Sequence, residues 1–175
     1  MEIGKKLFNF ELKGTDNKIY DKFTFADRTA LVLVVTCNHC PYASAYWRRH
    51  KEMYNKLEED NLMILAINPN DADQYPADSF EAMQNLQKEL DIPFPYLYDE
   101  NQLVAKKLGA TRTPEAFVFN SSRELVYQGA IDDNWEHQAM VTQVYLEDAI
   151  EDTLDGMEPD FPEVPAVGCS IKWKK

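Results

Sequence analysis

Cys37 and Cys40, separated by Asn38 and His39, form a C-x-x-C pair where an apolar run gives way to a helical pattern. The run from Ala30 to Thr36 is aliphatic and β-branched, which is typical of a strand buried on both faces. After Cys40, apolar residues recur at three- and four-residue steps, which predicts an amphipathic helix. This spacing predicts redox chemistry, with Cys37 at the start of the helix, where free N–H groups and the helix dipole favour a thiolate.

Lowering the pKa of a cysteine thiol to about 7 requires more stabilisation than the N-terminus of a helix supplies. A free thiol with a pKa of about 8.5 is only about 3% thiolate at pH 7, and lowering the pKa to about 7 requires about 2 kcal/mol. A helix terminus supplies about 0.3–1 kcal/mol. His39 lies between the cysteines and is predicted to supply the remainder by stabilising the Cys37 thiolate. Pro41 suits the first turn of the helix, where a missing N–H has little effect.

Two other uses of the cysteine pair are a zinc site and a structural disulfide. Further nitrogen or sulfur ligands could come only from Cys169, His39, His50 and His137, with no second C-x-x-C motif, so zinc is disfavoured. Three cysteines in 175 residues are not a disulfide scaffold either. His50 lies on the apolar face of its predicted helix, which indicates a packed, hydrogen-bonded core histidine.

The composition limits the partners. A formal charge of −12 argues against nucleic acid and against an anionic membrane surface, and 45% hydrophobic residues suit one globular domain. No apolar stretch reaches the length of a membrane span, and no signal-type segment follows Met1 to Lys6. We therefore expect a cytoplasmic protein, provided that no leader was removed, and no bound cofactor or metal.

The remaining pattern predicts strands and helices in alternation. The loop from Asn68 to Asp78 contains several aspartates, which we expect to be solvated or to start the next helix. We expect one domain over residues 1–156 and an extended, Pro-containing tail over 157–175, packed on or near it. The predicted strands are Phe8–Leu12, Lys18–Tyr20, Ala30–Thr36, Leu62–Ile67, Ala116–Asn120 and Glu124–Gln128, and helices are predicted after Cys40, from Asp78 to Leu90, from Asn101 to Gly109 and from His137 to Leu154.

This order of elements resembles the thioredoxin superfamily over about Ile3 to Leu154. Its specific marks are the Cys37-Asn38-His39-Cys40 motif and Thr113-Pro114 directly before the strand at Ala116, as in the cis-proline loop of that family. With the closing Gly168 to Lys174 segment, the chain looks like the peroxiredoxin-like members of the AhpC/TSA-type redoxins. The resemblance implies a thioredoxin-like α/β fold, with a central mixed sheet flanked by helices and an N-terminal β-hairpin extension.

The resemblance also implies roles for the site residues. Cys37 would be the exposed nucleophile and Cys40 the resolving thiol, while a cis Pro114 would hold the backbone of Thr113 to pair with a bound peptide or partner. Thioredoxins carry a buried acid six residues before the nucleophile, but this chain has Leu31 there. Water, Glu115 or His39 would have to accept the proton of Cys40 instead.

Thr36 and Arg112 raise a second hypothesis, a thiol-dependent peroxidase. Peroxiredoxins use a threonine and an arginine to orient the peroxide and stabilise the departing oxygen. Thr36 lies one residue before Cys37 and four before Cys40, so neither spacing matches the family pattern, and Arg112 could equally be a surface residue.

A third hypothesis is a binding module without turnover, which would hold a partner in the groove around Cys37, Tyr42, Trp47 and Thr113. Cys169 could relay a disulfide, link two chains or be a small buried hydrophobic residue in the tail.

The sequence thus favours a thiol–disulfide oxidoreductase that works through the Cys37/Cys40 couple. Its expected partners are a disulfide-containing protein, or a small-molecule thiol or peroxide, together with a thiol reductant system. Nucleic acid and membranes are not expected partners, and the oligomeric state stays open.

Overall fold

The computed structural model describes all 175 residues as a mixed α/β protein. Short 3-10 turns lie at Glu58–Asp60, Pro76–Asp78 and Gln138–Met140. The strands and helices, in chain order, are β1 (Glu11–Gly14), β2 (Ile19–Asp21), β3 (Ala30–Val35), α1 (Pro41–Leu57), β4 (Leu62–Asn68), α2 (Phe80–Leu90), β5 (Tyr96–Tyr98), α3 (Leu103–Leu108), β6 (Arg112–Thr113), β7 (Glu115–Phe119), β8 (Leu125–Gly129), α4 (Tyr145–Leu154), β9 (Glu163–Val164) and β10 (Cys169–Ser170).

One mixed sheet forms the centre of the molecule, with the strand order β2-β1-β5-β4-β3-β7-β8-β9. Strand β3 runs parallel to β4 and antiparallel to β7, and every residue of β3 is buried. The predicted thioredoxin-like fold is confirmed, including an N-terminal hairpin, β1 and β2, that extends the sheet at one edge. The carboxyl ends of the parallel strands β3 and β4 therefore open onto the same edge, where ligands bind in open α/β sheets.

Two predicted elements were misplaced and a strand was missed. The first strand was predicted at Phe8–Leu12 and lies at Glu11–Gly14. The last helix begins at Tyr145 rather than at His137, because the segment before it is held in a loop. There the Asp133 carboxylate accepts the backbone N–H of Thr142 at 2.9 Å, a side-chain bond that competes with helix formation. Strand β5 was missed, since three residues after Pro95 are too few to show a period. None of the helices is long and apolar enough to cross a bilayer.

His50 is buried, as predicted, but neither ring nitrogen has a hydrogen-bond partner, so that part of the prediction was wrong. Its imidazole packs between the rings of Tyr46 and Trp47, with centroids 6.0 and 6.2 Å away. Burial, and then the nearby charge of Arg49, lower the pKa of His50 to about 3. The imidazole is consequently neutral and serves as a packed ring.

The C-terminal segment is built into the fold through several contacts. Strand β9 pairs in parallel with β8, and Ile171 is buried in the main hydrophobic core. Strand β10 pairs antiparallel with β6, which leads into β7. The chain end thereby reaches the sheet edge that holds the two cysteines.

Candidate active site

Cys37 and Cys40 lie in the turn that connects β3 to α1. Cys40 is the N-cap residue of α1, and Pro41 occupies the first turn, as predicted. The helix begins after Cys40, as predicted, but Cys40 rather than Cys37 is the cysteine at its N-terminus. The N–H groups at the end of the helix consequently face Cys40.

The burial of the two thiols also differs from expectation. Cys37 is fully buried at 0% exposure, and Cys40 retains 5%. The expectation of an exposed Cys37 was therefore wrong. The physical reason is that Cys37 lies just beyond the fully buried strand β3, against the Thr113 hydroxyl, while Cys169 packs against the cysteine pair.

Thr113 and Pro114 face both thiols across the site. The peptide bond between them is cis, as predicted. The Cys37 thiol donates to Thr113 Oγ1 at 3.5 Å, and the neutral Cys40 thiol lies 3.8 Å from the Thr113 carbonyl oxygen. The cis-proline turn thus contacts one thiol through a hydroxyl and the other through a carbonyl.

The chain's own tail occupies the backbone edge that was predicted to receive a partner. Cys169 is the register partner of Thr113, and Ser170 that of Arg112. A Cβ at Gly168 would lie 2.3 Å from the Thr113 carbonyl oxygen, so only glycine permits this approach. The result is a third thiol beside Cys40, whose location the sequence alone did not indicate.

Cys40 is the thiol that ionises most readily. The thiol of Cys37, then that of Cys169 and the backbone N–H groups of Ala43 and Cys169, stabilise its charge and lower its pKa to about 4 against the effect of burial. Contact with Cys40, then burial and the negative charge of Asp78, raise the pKa of Cys37 far above its usual range. Of the two thiols, the lowered pKa assigns the thiolate to Cys40.

Asp78 lies beside Cys37 in a buried polar network, and sequence reasoning missed it. Asp78 lies close to the start of α2, as predicted, but Asp71 and Asp78 are buried rather than solvated, at 3% and 2% exposure. Asp78 Oδ1 accepts the backbone N–H of Asn38 at 2.7 Å, and Oδ2 accepts the side-chain amide of Asn70 at 3.0 Å. The usable signal was topological, because loops that follow parallel strands meet at the same sheet edge.

Residues 3–128 match the model of the AhpC/TSA family. The chain belongs to the AhpC/TSA family. The fold, the family and the paired thiols together identify an oxidoreductase, as predicted.

Two solved structures are similar to this AhpC/TSA protein over nearly its whole length. An uncharacterised conserved protein from Geobacillus kaustophilus is 35% identical, with a TM-score of 0.93 and coverage of 99% of this chain and 93% of that one. A hypothetical protein from Sinorhizobium meliloti 1021 is 31% identical, with a TM-score of 0.93 and coverage of 99% and 96%. More distant solved structures share the thioredoxin-like fold.

A curated relative is similar over a shorter stretch. The thiol-disulfide oxidoreductase ResA of Bacillus thuringiensis subsp. konkukian is 23% identical over 130 residues, which span 73% of this chain and 69% of that protein.

Three other predicted site residues of this AhpC/TSA protein lie away from the thiols or serve them differently. His39 is exposed and makes no hydrogen bond to either cysteine of the motif, so the helix end and the neighbouring thiols stabilise the thiolate in its place. Arg112 is also exposed. Glu115 accepts the backbone N–H groups of Thr111 and Arg112 at 3.1 and 3.2 Å, which orders the cis-proline turn.

Thr36 is fully buried, and its hydroxyl has no hydrogen-bond partner. Arg112, the other residue of the peroxidase hypothesis, makes no salt bridge.

The structure assembles no group of three or more histidine, cysteine or acidic side chains that could hold a metal ion.

Proposed function

We propose that this protein is a thiol–disulfide oxidoreductase in which the Cys40 thiolate makes the first attack. One observation carries this assignment: the Cys40 sulfur lies at the N-terminus of α1, beside a second thiol and the cis-proline turn, in surroundings that lower its pKa to about 4. Thiolates, not thiols, attack disulfides. The roles expected from the family resemblance are thus reversed between Cys37 and Cys40.

The proposed reaction has two exchange steps. In the first, Cys40 Sγ attacks one sulfur of a partner disulfide, the disulfide bond breaks, and the other sulfur leaves as a thiolate that takes a proton from solvent. The product is a mixed disulfide between Cys40 and the partner. In the second, a neighbouring thiol of the site loses its proton and attacks Cys40 Sγ, which releases the partner as a dithiol and leaves an internal disulfide. Two electrons thereby pass from the protein to the partner.

The partner is proposed to be a disulfide-containing protein or a small-molecule disulfide, with a separate thiol reductant that restores the dithiol. The name of the related ResA protein, a thiol-disulfide oxidoreductase, supports this substrate class. Peroxide is less well supported, because Arg112 is exposed and the Thr36 spacing does not match the peroxidase pattern. The acidic net charge of −12 favours partners with a basic surface around their disulfide.

The direct test is turnover of a model disulfide, such as oxidised glutathione, with dithiothreitol as reductant. We expect Cys40→Ser to lower the rate of the first exchange by at least about a hundredfold, because the attacking thiolate is removed. The matched control is Ser44→Ala, one turn further along α1 on its exposed face, which should keep the wild-type rate.

Hydrogen peroxide consumption is measured in parallel on the same variants. Rapid peroxide turnover by the wild type, with no reduction of oxidised glutathione, would refute the proposed function and favour the peroxidase hypothesis. An unchanged disulfide exchange rate in Cys40→Ser would refute the assignment of the attacking residue.

A further inference from the structure

Cys169 is held against the Cys37/Cys40 pair by the backbone pairing of its strand and by side-chain packing. It faces Thr113 in the β6–β10 pair, and the next residue but one, Ile171, donates to the Thr111 carbonyl at 3.2 Å. The Cys169 side chain packs against Cys37 and Cys40, and its thiol and backbone N–H are among the groups that lower the pKa of Cys40. The site therefore holds three thiols in a row, with Cys40 in the middle.

The segment after Cys169 is anchored at several points. Lys172 receives a hydrogen bond at its carbonyl from the Asp71 N–H, and its own N–H donates to Asn70 Oδ1, both at 2.9 Å. Gln102 donates to the same carbonyl at 2.9 Å and accepts the N–H of Lys174, also at 2.9 Å. These bonds, with the buried Ile171, hold Cys169 in place beside Cys40.

We propose that Cys169 is a third redox residue of this site, the resolving thiol that attacks Cys40 Sγ and forms a Cys40–Cys169 disulfide. The inference rests on the proposed thiol–disulfide exchange function and names the second participant in it. In this arrangement the tail strand occupies the Thr113 edge that the family resemblance reserves for a partner segment. Cys169 accordingly lies where a partner's cysteine would lie in a mixed disulfide.

Cys169 is better suited to the resolving step than Cys37. Cys37 is fully buried and faces the Asp78 carboxylate, which opposes a negative charge on its sulfur. Cys169 is only half-buried, and a thiolate there is favoured by the Tyr42 backbone N–H and the positive charge of Lys172. Burial and contact with Cys40 raise the pKa of Cys169 to about 11, which is still far below that of Cys37.

In the resolving step, Cys169 displaces the partner sulfur from Cys40. The Cys169 thiol gives its proton to solvent, and its sulfur forms a bond to Cys40 Sγ while the bond from Cys40 to the partner sulfur breaks. The partner sulfur leaves as a thiolate and takes up a proton. The partner disulfide has then gained two electrons and two protons. Cys40 and Cys169 have together lost two electrons and the single proton of Cys169, and solvent supplies the second proton because Cys40 attacks as a thiolate.

Peptide mapping distinguishes the two possible disulfides directly. Trypsin leaves Cys37 and Cys40 together on the peptide 29–48, and it leaves Cys169 on the peptide 124–172, because no Lys or Arg interrupts either stretch. The reduced wild-type protein is treated with a limiting amount of oxidised glutathione, quenched with iodoacetamide at successive times and digested without reduction. A Cys40–Cys169 bond links the two peptides, whereas a Cys37–Cys40 bond leaves peptide 29–48 alone and unalkylated.

We expect the linked peptides to be the first internal disulfide that forms in the wild type. Cys37→Ser and Cys37→Ala should still produce the linked peptides as their internal disulfide, more slowly in Cys37→Ala, which removes the side-chain donor that stabilises the Cys40 thiolate. Cys169→Ser should accumulate glutathione on Cys40 and resolve it at least about tenfold more slowly, since the remaining thiol, Cys37, is less able to ionise. Far-ultraviolet circular dichroism on every variant shows whether the fold is kept.

Each outcome has a definite meaning. If the wild type exchanges with glutathione but forms only the disulfide within peptide 29–48, and Cys169→Ser resolves at the wild-type rate, the inference is overturned and the proposed function stands. If no cysteine of the wild type reacts with oxidised glutathione, both the proposed function and the inference fail. A variant that does not fold leaves the wild-type peptide map as the deciding measurement.

Discussion

The two neighbours of Cys40 have the same side chain in opposite surroundings. Cys37 lies on the interior side, next to a buried carboxylate, Asp78, and has no exposed surface. Cys169 lies on the solvent side, on a strand that leaves part of it exposed and close to Lys172. The spacing of the cysteines in the sequence therefore does not decide which thiol forms a disulfide with Cys40. The charges near each thiol and its access to water decide it.

The pH dependence of the free energy of unfolding tests whether Cys40 is ionised in the folded protein. Of the predictions, it has the largest expected effect. The pKa of Cys40 is about 4 in the folded protein, below the ordinary thiol value of 9.0. At a pH between these two pKa values, the Cys40 thiol is therefore protonated in the unfolded protein and ionised in the folded protein. The stability that Cys40 contributes is complete above pH 9 and is lost as the pH falls toward 4, by at most about 1.4 kcal/mol for each pH unit.

Urea denaturation of the reduced protein at pH 5 to 8 measures this contribution against Cys40→Ser. The neutralisation of His50 affects both proteins equally, so the difference between them isolates Cys40. Parallel pH profiles for the two proteins would contradict a thiolate at this position.

Gly168→Ala tests the position of the tail strand β10, which carries Cys169 on the solvent side of Cys40. The new methyl group would meet the Thr113 carbonyl oxygen, and the tail strand must move away from β6. We expect a loss of about 1–3 kcal/mol in the free energy of unfolding, as for other overpacked sites, together with faster alkylation of Cys40. Val167→Ala is the control, since that side chain is exposed. Wild-type stability and Cys40 protection in Gly168→Ala would show that the tail does not cover the site.

Asp78→Asn tests the effect of the buried Asp78 carboxylate on Cys37, on the interior side of Cys40. Removal of the carboxylate charge should lower the pKa of Cys37 by about one unit, because a nearby like charge disfavours its thiolate. The measurement is the pH dependence of Cys37 alkylation in a Cys40→Ser background, which removes the competing thiolate. Asp71→Asn is the matched control, a buried aspartate of the same loop that bonds Gln74 and the Asp73 N–H. An equal shift in both variants would assign the effect to loop distortion and not to charge.

His39→Ala has the smallest expected effect. It tests whether a residue within the C-x-x-C motif contributes to the ionisation of Cys40. The side chain is exposed and lies on neither side of the three-thiol row, so the alkylation rate of Cys40 should stay within about twofold of the wild type. A marked rise in the pH midpoint of Cys40 alkylation would restore the role that the sequence suggested for His39.

The fold was predictable in its central elements because their patterns are long. The run at β3 and the three- and four-residue recurrence in α1 each predicted the right element to within a residue, since both are fully packed on the core. Strands β5, β9 and β10 each have two or three residues, and their pairing depends on distant parts of the chain. No local period can show such pairing.

The candidate site was predictable in part. The C-x-x-C motif located the chemistry, and the Thr113-Pro114 dipeptide predicted the cis turn that faces it. The burial of Cys37 and the place of Asp78 were not predictable, because both follow from segments that are distant in sequence. Asp78 comes from the loop before α2, and Thr113, whose hydroxyl contacts the Cys37 thiol, lies 76 residues further along the chain.

The sequence by itself determined that two thiols stand between a buried strand and a helix, and with them the fold class and redox chemistry of the protein. Only the tertiary structure decided which thiol carries the charge and which thiols can reach it. The physical reason is that ionisation depends on the donors, charges and water around a sulfur atom. Those surroundings are assembled from four separate parts of the chain, around Cys40, Asp78, Thr113 and Cys169.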